Sequence, residues 1–163
     1  MILILNFICR FLMVRQIFRD DGALYLSRYR IFGWMPGSKR KYPLSIYLHH
    51  FHQPDSDEAE HNHPWKWSFS MVLAGGYTEI RFEGKWPEFK AVRDLRPFRL
   101  NWISHDTYHN VTALHGRESW TLFFAGPKAT SWGFWVPGRG HVEWRERLRE
   151  RGIKIDYEKH EEA

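Results

Sequence analysis

The stretch His61-Asn62-His63-Pro64-Trp65 places two histidines two residues apart, directly before a proline and a tryptophan. Pro64 disfavours helical dihedral angles at His63, so the pattern predicts an extended backbone. Side chains two residues apart in an extended segment point to the same face, which places His61 and His63 side by side. Neutral imidazole is the commonest protein ligand for zinc, iron, nickel and copper, so the pair predicts two ligands on one strand. The alternative is a pair of hydrogen-bonded polar residues at the start of a strand.

The same two-residue alternation continues into the residues after Pro64. It predicts that bulky side chains share the face of the two histidines and point to the interior: Trp65, Trp67, Phe69 and Met71. The residues between them are then expected on the opposite face: Lys66, Ser68 and Ser70.

A third histidine lies in Asp106-Thr107-Tyr108-His109-Asn110-Val111, after a predicted strand from Phe98 to Ile103 and a turn. His109 and Val111 alternate with Asn110, which predicts that His109 starts another strand and faces the interior. The sequence therefore offers a third candidate imidazole ligand on a strand distant from the first pair.

These residues, together with shorter motifs, resemble the cupin superfamily, and in particular a group of small bacterial and phage cupin-like proteins with a His-x-His-Pro-Trp motif. The resemblance covers residues 22–145, and its motifs are Tyr47-Leu48-His49, Asp55 to Asp57, His61 to Trp65, Gly75-Gly76-Tyr77, Asp106 to Val111, Trp120 to Phe123, and Trp132 to Trp135. It implies an all-β fold: a cupin-like double-stranded β-helix, or jelly-roll barrel, with a short N-terminal helix and a short C-terminal helix. It also implies that a divalent metal ion binds to His61, His63 and His109.

One departure from the family pattern concerns the metal ligands. Most cupins place a glutamate shortly after the second histidine, where this chain has Trp67 and Ser68. The resemblance therefore leaves three histidines with water, or a fourth ligand from elsewhere in the chain. His49 is the first candidate, because it matches the histidine of the preceding strand in the family. An acid from Asp55, Asp57 or Glu58 is the alternative.

Short predicted strands separated by glycine and proline turns continue from Tyr25 to Val136, a spacing typical of a sandwich or barrel. We expect the chain to divide into an N-terminal amphipathic helix at residues 1–20, a cupin-like barrel at 22–140, and a C-terminal helix with a charged tail at 141–163. The C-terminal helix is expected to begin at His141 and to dock through Trp144.

Apolar residues recur along residues 1–20 at spacings of three and four, which is typical of one face of a helix: Leu3, Phe7, Phe11, Val14 and Phe18. Such a stripe needs a cover, which the outside of the barrel, a second copy of the chain or a membrane surface can supply. We expect a homodimer formed through residues 1–18, since symmetric dimers are the commonest oligomers. Charged residues interrupt the apolar run well short of the roughly 20 residues that a transmembrane helix needs, so no such segment is expected.

Composition narrows the functional classes. The chain has 163 residues, 9 Trp and an aromatic fraction of 17%, which favours one domain with an aromatic-lined interior. Its net charge of +5 comes largely from residues 39–41 and 145–151, without the spacing of a nucleic-acid-binding motif, so specific nucleic-acid binding is not expected. Cys9 is the single cysteine, which excludes an internal disulfide, and the start of the sequence lacks signal-peptide features. A cytoplasmic location is therefore expected.

An open three-histidine shell suits an Fe, Zn, Ni or Mn ion and the activation of a small-molecule ligand. The pocket around it is expected to be lined by nearby aromatic residues: Tyr47, Trp65, Tyr77 and Trp120. Tyr47, Tyr77 and Tyr108 are candidate acid–base partners. Arg81 and Arg99 are candidate partners of a substrate carboxylate.

Three functions are open at this point. The first is a small-molecule metalloenzyme of the dioxygenase or isomerase/lyase type. The second is a non-catalytic cupin that binds a metal or another ligand, for which a closed four-ligand shell is the expected sign. The third is a phage-derived structural or interaction protein that assembles along residues 1–18.

Overall fold

The structure is a computed structural model that describes residues 1–19, 21–33, 42–55 and 59–152. Its elements are α1 (Ile2–Cys9), β1 (Met13–Phe18), β2 (Leu24–Phe32), β3 (Ser45–Phe51), β4 (Trp67–Ala74), β5 (Tyr77–Glu83), β6 (Ala91–Leu95), β7 (Leu100–Ser104), β8 (Thr107–Leu114), β9 (Ser119–Ala125), β10 (Gly133–Val136), β11 (Gly140–Glu143) and α2 (Trp144–Glu150). The basic residues 39–41, the acids Asp57 and Glu58, and the tail at 153–163 lie outside the described residues.

Antiparallel pairing organises the strands into two layers. One sheet has the order β1-β2-β3-β9-β4-β7, and the other is built from β6-β5-β8 and the pair β10-β11. Single-residue bridges from His61 to His109 and to Phe134 join β8 to β10. Antiparallel sheets with a short helix near each end confirm the all-β jelly-roll fold that the sequence predicts.

The two layers meet through a core of buried apolar side chains: Val72 from the first sheet and Tyr77, Leu95 and Val111 from the second. Burying a side chain of this size stabilises a fold by about 1.5–3 kcal/mol relative to leaving it in water. Register across the first sheet sets Tyr47 opposite Phe123, and Phe123 opposite Ser70. Because cross-strand partners point to the same face, these residues define the inner face of that sheet.

The predicted alternation after Pro64 is wrong from Trp67 onward. Within β4 the buried residues are Ser68, Ser70, Val72 and Ala74, and the aromatic residues lie on the outer face. There Phe69 stacks on Phe124 with ring centroids 4.4 Å apart. The period breaks because Trp65 bridges to Lys128 and Lys66 N–H donates to the carbonyl of Pro127, so the chain turns before β4 begins.

The N-terminal helix is shorter than predicted. Its hydrogen bonding ends at Cys9, and residues 13–18 form β1, the edge strand that pairs with β2. A strand is favoured there because Val14 and Ile17 are β-branched and β2 offers unpaired backbone groups. Leu5 and Cys9 pack on the outer face of the first sheet, against Leu48, Ala74 and Trp120.

The C-terminal helix also starts later than expected. His141 belongs to β11, and α2 begins at Trp144 after Glu143, which has extended dihedrals and accepts a hydrogen bond from Arg145 N–H. This capping stabilises the first turn of the helix. The expected docking of Trp144 is confirmed, since its ring is buried and stacks on Trp132 at 5.6 Å. Among the described residues, neither helix has the length and apolarity that a membrane crossing requires.

Candidate metal centre

The structure brings together the three histidines that the sequence singles out. The ligand atoms of His61, His63 and His109 all lie within 4.8 Å of one another. His63 Nε2 and His109 Nε2 are 2.9 Å apart. His109 is buried, whereas His61 and His63 are partly exposed.

Backbone hydrogen bonds hold His61 beside His109. The two residues exchange a pair of N–H to carbonyl bonds, each 2.9 Å long, which is the geometry of one antiparallel bridge. The next residue, Asn62, is buried and forms two hydrogen bonds with the backbone of Gly133. Its N–H donates to the carbonyl of Gly133 at 3.0 Å, and its Oδ1 accepts from Gly133 N–H at 2.8 Å. The segment is therefore fixed between β8 and β10.

Glu79 in β5 supports the group from behind, and the sequence analysis missed it. Its Oε2 lies 3.4 Å from His109 Nδ1, and its side chain is fully buried. Asn101 Nδ2 donates to the same oxygen at 2.9 Å, and Arg81 approaches the carboxylate at 3.6 Å. A carboxylate next to Nδ1 favours the tautomer with the proton there, so the lone pair of His109 Nε2 faces the group.

The ionisation states fit a set of metal ligands. Burial by itself raises the pKa of Glu79, but His109, Arg81 and Asn101 together bring it below its ordinary value, so Glu79 is a carboxylate. Burial lowers the pKa of His63 well below 6.5, and the neighbouring His109 and His61 lower it further. His63 is therefore neutral near pH 7, which is the form that binds metal.

The separation of two of the three ligand atoms also fits one ion. Metal–nitrogen bonds of about 2.0–2.1 Å put two ligands at right angles roughly 2.9 Å apart. The separation of His63 Nε2 and His109 Nε2 equals this value.

His49 does not join the three-histidine group. It faces the interior from β3, but its Nε2 accepts a hydrogen bond from Arg28 Nε at 3.1 Å, and its ring stacks on Phe123 at 4.6 Å. The expectation that His49 supplies a fourth ligand is therefore not met. Asp55 is engaged as well, because its Oδ2 accepts from Val111 N–H at 2.8 Å and so supports β8.

Trp65 and Tyr47 lie on the inner face beside the histidines. Trp65 stacks on His63 with ring centroids 5.3 Å apart, and it packs on the cluster of Tyr47 and Phe123. Their role in substrate binding stays a prediction.

Two other predicted pocket residues lie elsewhere. Tyr77 is buried between the sheets, where its hydroxyl accepts from Asn101, and burial raises its pKa to about 12. Trp120 is on the outer face, stacked on His50 at 3.8 Å, so its assignment to the pocket is wrong. Its parity in β9 differs from that of Phe123, which accounts for the opposite direction.

The other residues predicted as acid–base partners or as partners of a substrate carboxylate either contact other groups or are exposed. The Tyr108 hydroxyl contacts His141 Nδ1 at 2.8 Å, and burial raises its pKa to about 12. Arg81 is tied to the Glu79 network through Asn101, and Arg99 is exposed. Neither tyrosine with a raised pKa is suited to proton transfer at neutral pH.

Solved structures share this fold at low sequence identity. A cupin 2 conserved barrel domain protein from Rhodopseudomonas palustris is 14% identical with a TM-score of 0.57, and the match covers 86% of this chain and 85% of that chain. The polyketide cyclase RemF from Streptomyces resistomycificus is 12% identical with a TM-score of 0.54, over 81% of this chain and 85% of that one. Fe(II)-HppE with the alternative substrate (S)-1-HPP is 16% identical with a TM-score of 0.55, over 72% of this chain.

This chain spans 57% of the length of the HppE chain. No protein-family model matches the sequence, and no curated protein sequence matches it at a significant level. At such identities the likeness concerns the fold alone, and it confirms the cupin-like barrel that the sequence predicts.

Proposed function

We propose that His61, His63 and His109 bind one divalent metal ion, and that this ion acts on a small molecule as in a dioxygenase or an isomerase/lyase. The observation that carries the proposal is the convergence of three imidazoles, with two Nε2 atoms 2.9 Å apart. Fe, Zn, Ni and Mn all accept imidazole ligands. Iron(II) is the first ion to test, since Fe(II)-HppE shares the fold.

Different residues around the three-histidine group have different roles in this proposal. Glu79 holds the proton of His109 at Nδ1, which keeps the Nε2 lone pair directed at the ion. Trp65 covers one side of His63 and excludes water there. The partly exposed edge of His61 and His63 is the side from which a small molecule approaches. When bound, the metal supplies Lewis acidity toward a ligand in its open position.

Elemental analysis of protein purified without an affinity tag tests the proposal. We expect about one equivalent of metal per chain in the wild type, and none in His63→Ala, because removing one of three ligands leaves too few. His105→Ala is the matched control, because this half-exposed turn histidine lies outside the three-histidine group. Wild-type protein without metal, even after refolding with Fe(II) or Zn(II), would contradict the proposal.

A non-catalytic cupin that binds a metal or ligand is the alternative. A shell closed by a fourth protein ligand would favour it, and the described residues supply no such ligand in the group. Water exchange at the bound ion, measured by the relaxation of solvent protons around a paramagnetic metal, separates the two functions. The cytoplasmic location stays a prediction.

The N-terminal residues lead to a separate proposal, that two copies of the chain pair through this face. One side of α1 packs on the first sheet through Leu5 and Cys9, while Leu3 and Phe7 are 85% and 60% exposed. Exposed apolar patches of this kind usually mark interfaces. Phe7→Glu is expected to convert a dimer to a monomer in light scattering without loss of fold, and a wild-type monomer at micromolar concentration would exclude the pairing.

A further inference from the structure

A continuous row of apolar side chains crosses the outer face of the first sheet. Strand register aligns one residue from each of β2, β3, β9, β4 and β7 into this outer aromatic row: Phe32, Ile46, Phe124, Phe69 and Trp102. None of the five is buried, and the two at the ends, Phe32 and Trp102, are 53% and 57% exposed. Contiguous exposed apolar surface of this kind marks an interaction site.

The helix α1 covers the part of the outer face next to this row, and not the row itself. Leu5 and Cys9 of α1 pack on a cluster that includes Leu48, and no member of the row is among the described residues of that cluster. Leu48 is two residues from Ile46 in β3, so it belongs to the next row along the same face. A helix with its side chains is about 10 Å across. The outer face therefore has a step, raised where α1 lies and lower along the outer aromatic row.

The side of α1 that points away from the sheet is also apolar. Successive residues of a helix are about 100° apart around its axis, which places Leu3 and Phe7 nearly opposite to Leu5 and Cys9. Leu3 and Phe7 are both exposed. A helix with apolar side chains on opposite sides is stable when both sides are covered. The far side of α1 therefore needs a second apolar surface.

A second copy of the chain matches these two surfaces better than a charged partner does. Neither α1 nor the outer aromatic row contains a charged side chain, although the chain has a net charge of +5. Nucleic acid or an acidic protein surface would find no cation here, whereas two apolar surfaces meet without burying a charge. A two-fold axis brings the same surfaces of both copies together, so the raised α1 of each copy lies on the lower part of the other.

The exposed apolar area is sufficient for a stable dimer. Aromatic side chains bury roughly 150–250 Å² each when fully covered. Four aromatic residues that are more than half exposed lie on or beside the two surfaces: Phe7, Phe11, Phe32 and Trp102. Three exposed aliphatic residues add to them: Leu3, Ile4 and Leu100. Together they offer on the order of the 800 Å² that each partner buries in an interface of standard size.

We propose that α1 of one copy packs on the outer aromatic row of a second copy, and that the second copy makes the same contact across a two-fold axis. Leu3 and Phe7 of each chain then cover the row of the other chain near Trp102. The contact rests on the pairing of two copies proposed above, but it joins α1 to the sheet of the other copy rather than to its α1. It does not depend on metal binding.

Cross-linking with one cysteine per chain tests this contact in the full-length protein. Cys9, the single cysteine of the chain, is first replaced in Cys9→Ala. Chains with Leu3→Cys are then mixed with chains with Leu100→Cys and treated with a short bis-maleimide. Because each chain has one cysteine, every link joins two copies. We expect far more of the mixed product than of linked Leu3→Cys chains. The reverse would show that α1 binds α1, which overturns the inference while the pairing stands.

A charge in the row tests the same contact through the stability of the dimer. Trp102→Glu is expected to weaken the dimer about a hundredfold in light scattering over a range of concentrations, since buried Trp residues carry much of the energy of an interface. Leu100→Glu is a second variant, which keeps Trp102 stacked on Phe69. Trp86→Glu is the matched control, because Trp86 is 59% exposed but lies outside the row. Circular dichroism and metal content establish that each variant is folded.

Three outcomes would overturn the contact. Dimers of unchanged stability in both Trp102→Glu and Leu100→Glu would show that the row is not part of the interface. A monomeric wild type would exclude the contact together with the pairing, while metal at the three-histidine group would be unaffected. A monomer that binds phosphatidylcholine vesicles, and no longer does so after Trp102→Glu, would assign the row to a membrane surface instead.

Discussion

Two histidine clusters lie on opposite faces of the first sheet and differ in their chemistry. The outer histidine pair, His50 and His52, lies on the face of the sheet opposite to His49. His50 Nε2 bonds the carboxylate of Glu118, and His52 Nε2 bonds Ser27 Oγ at 2.9 Å. The His50 ring also stacks on Trp120, so both the polar and the apolar surfaces of the outer pair are engaged.

The three-histidine group has the opposite arrangement. Its carboxylate, Glu79, lies behind His109 at Nδ1, while the Nε2 atoms of His63 and His109 face one another. The two clusters differ in which imidazole nitrogen the carboxylate contacts, Nε2 in His50 and Nδ1 in His109. The carboxylate of Glu118 occupies Nε2 of His50. A carboxylate at Nδ1, like Glu79 beside His109, instead leaves Nε2 available to bind a metal ion.

The strongest test of this comparison is removal of metal. A ligand at a hundredfold excess over its dissociation constant stabilises the folded state by about 2.7 kcal/mol. We expect wild-type protein and His50→Ala to lose this stability when a chelator is added, as measured by urea unfolding. His61→Ala is expected to unfold at the same urea concentration with and without chelator. If a chelator also lowered the stability of His61→Ala, metal binding could not be assigned to the three-histidine group alone.

A smaller effect is expected from the carboxylate behind His109. Loss of such a partner typically lowers metal affinity about 10–100-fold. Glu79→Gln should show this loss in a competition titration with a coloured chelator. Glu83→Gln serves as the control, since Glu83 lies on the same strand and also pairs with Arg81 but does not approach His109. Equal affinities in the two variants would show that Glu79 only stabilises the fold.

The smallest expected effect is on the pH dependence of metal-free protein. Burial, and then Arg28, lower the pKa of His49 well below 6.5, whereas the pKa of His52 is lowered less, chiefly by burial. Below pH 6.5 the unfolded chain binds a proton that folded His49 does not, so stability falls as pH drops, by at most about 1.4 kcal/mol per pH unit and site.

Urea midpoints at pH 7.5 and 5.5 measure this dependence. His49→Gln should flatten it more than His52→Gln does. A larger change from His52→Gln would reverse the expected order of the inner and outer residues.

Local sequence patterns were sufficient for most of the strands and for the meeting of the three histidines. Proline after His63 and the alternation around His109 predicted extended segments with inward histidines, which the structure shows. The alternation failed at Lys66, because a turn fixed by the carbonyl of Pro127 shifts the period by one residue. That partner is remote in sequence, so no local pattern contains it.

Residues that depend on register between distant strands were missed for the same reason. Glu79 reaches His109 only through the pairing of β5 with β8, which includes a bulge between Thr78 and Glu79. Arg28 faces the interior because β2 pairs with β3 in a particular register. The end of α1 was misplaced because helical spacing alone does not reveal the open strand edge that residues 13–18 join.

The bonds between Asn62 and Gly133 also set an order of events for a chain leaving the ribosome. The His61–His63 segment can lock into place only after Gly133 has emerged, although both its histidines are translated much earlier. At roughly 5–20 residues per second, the segment between them takes several seconds to synthesise. During that interval the segment lacks its bonds to β10, so the proposed metal site is complete only when the hairpin of β10 and β11 has formed.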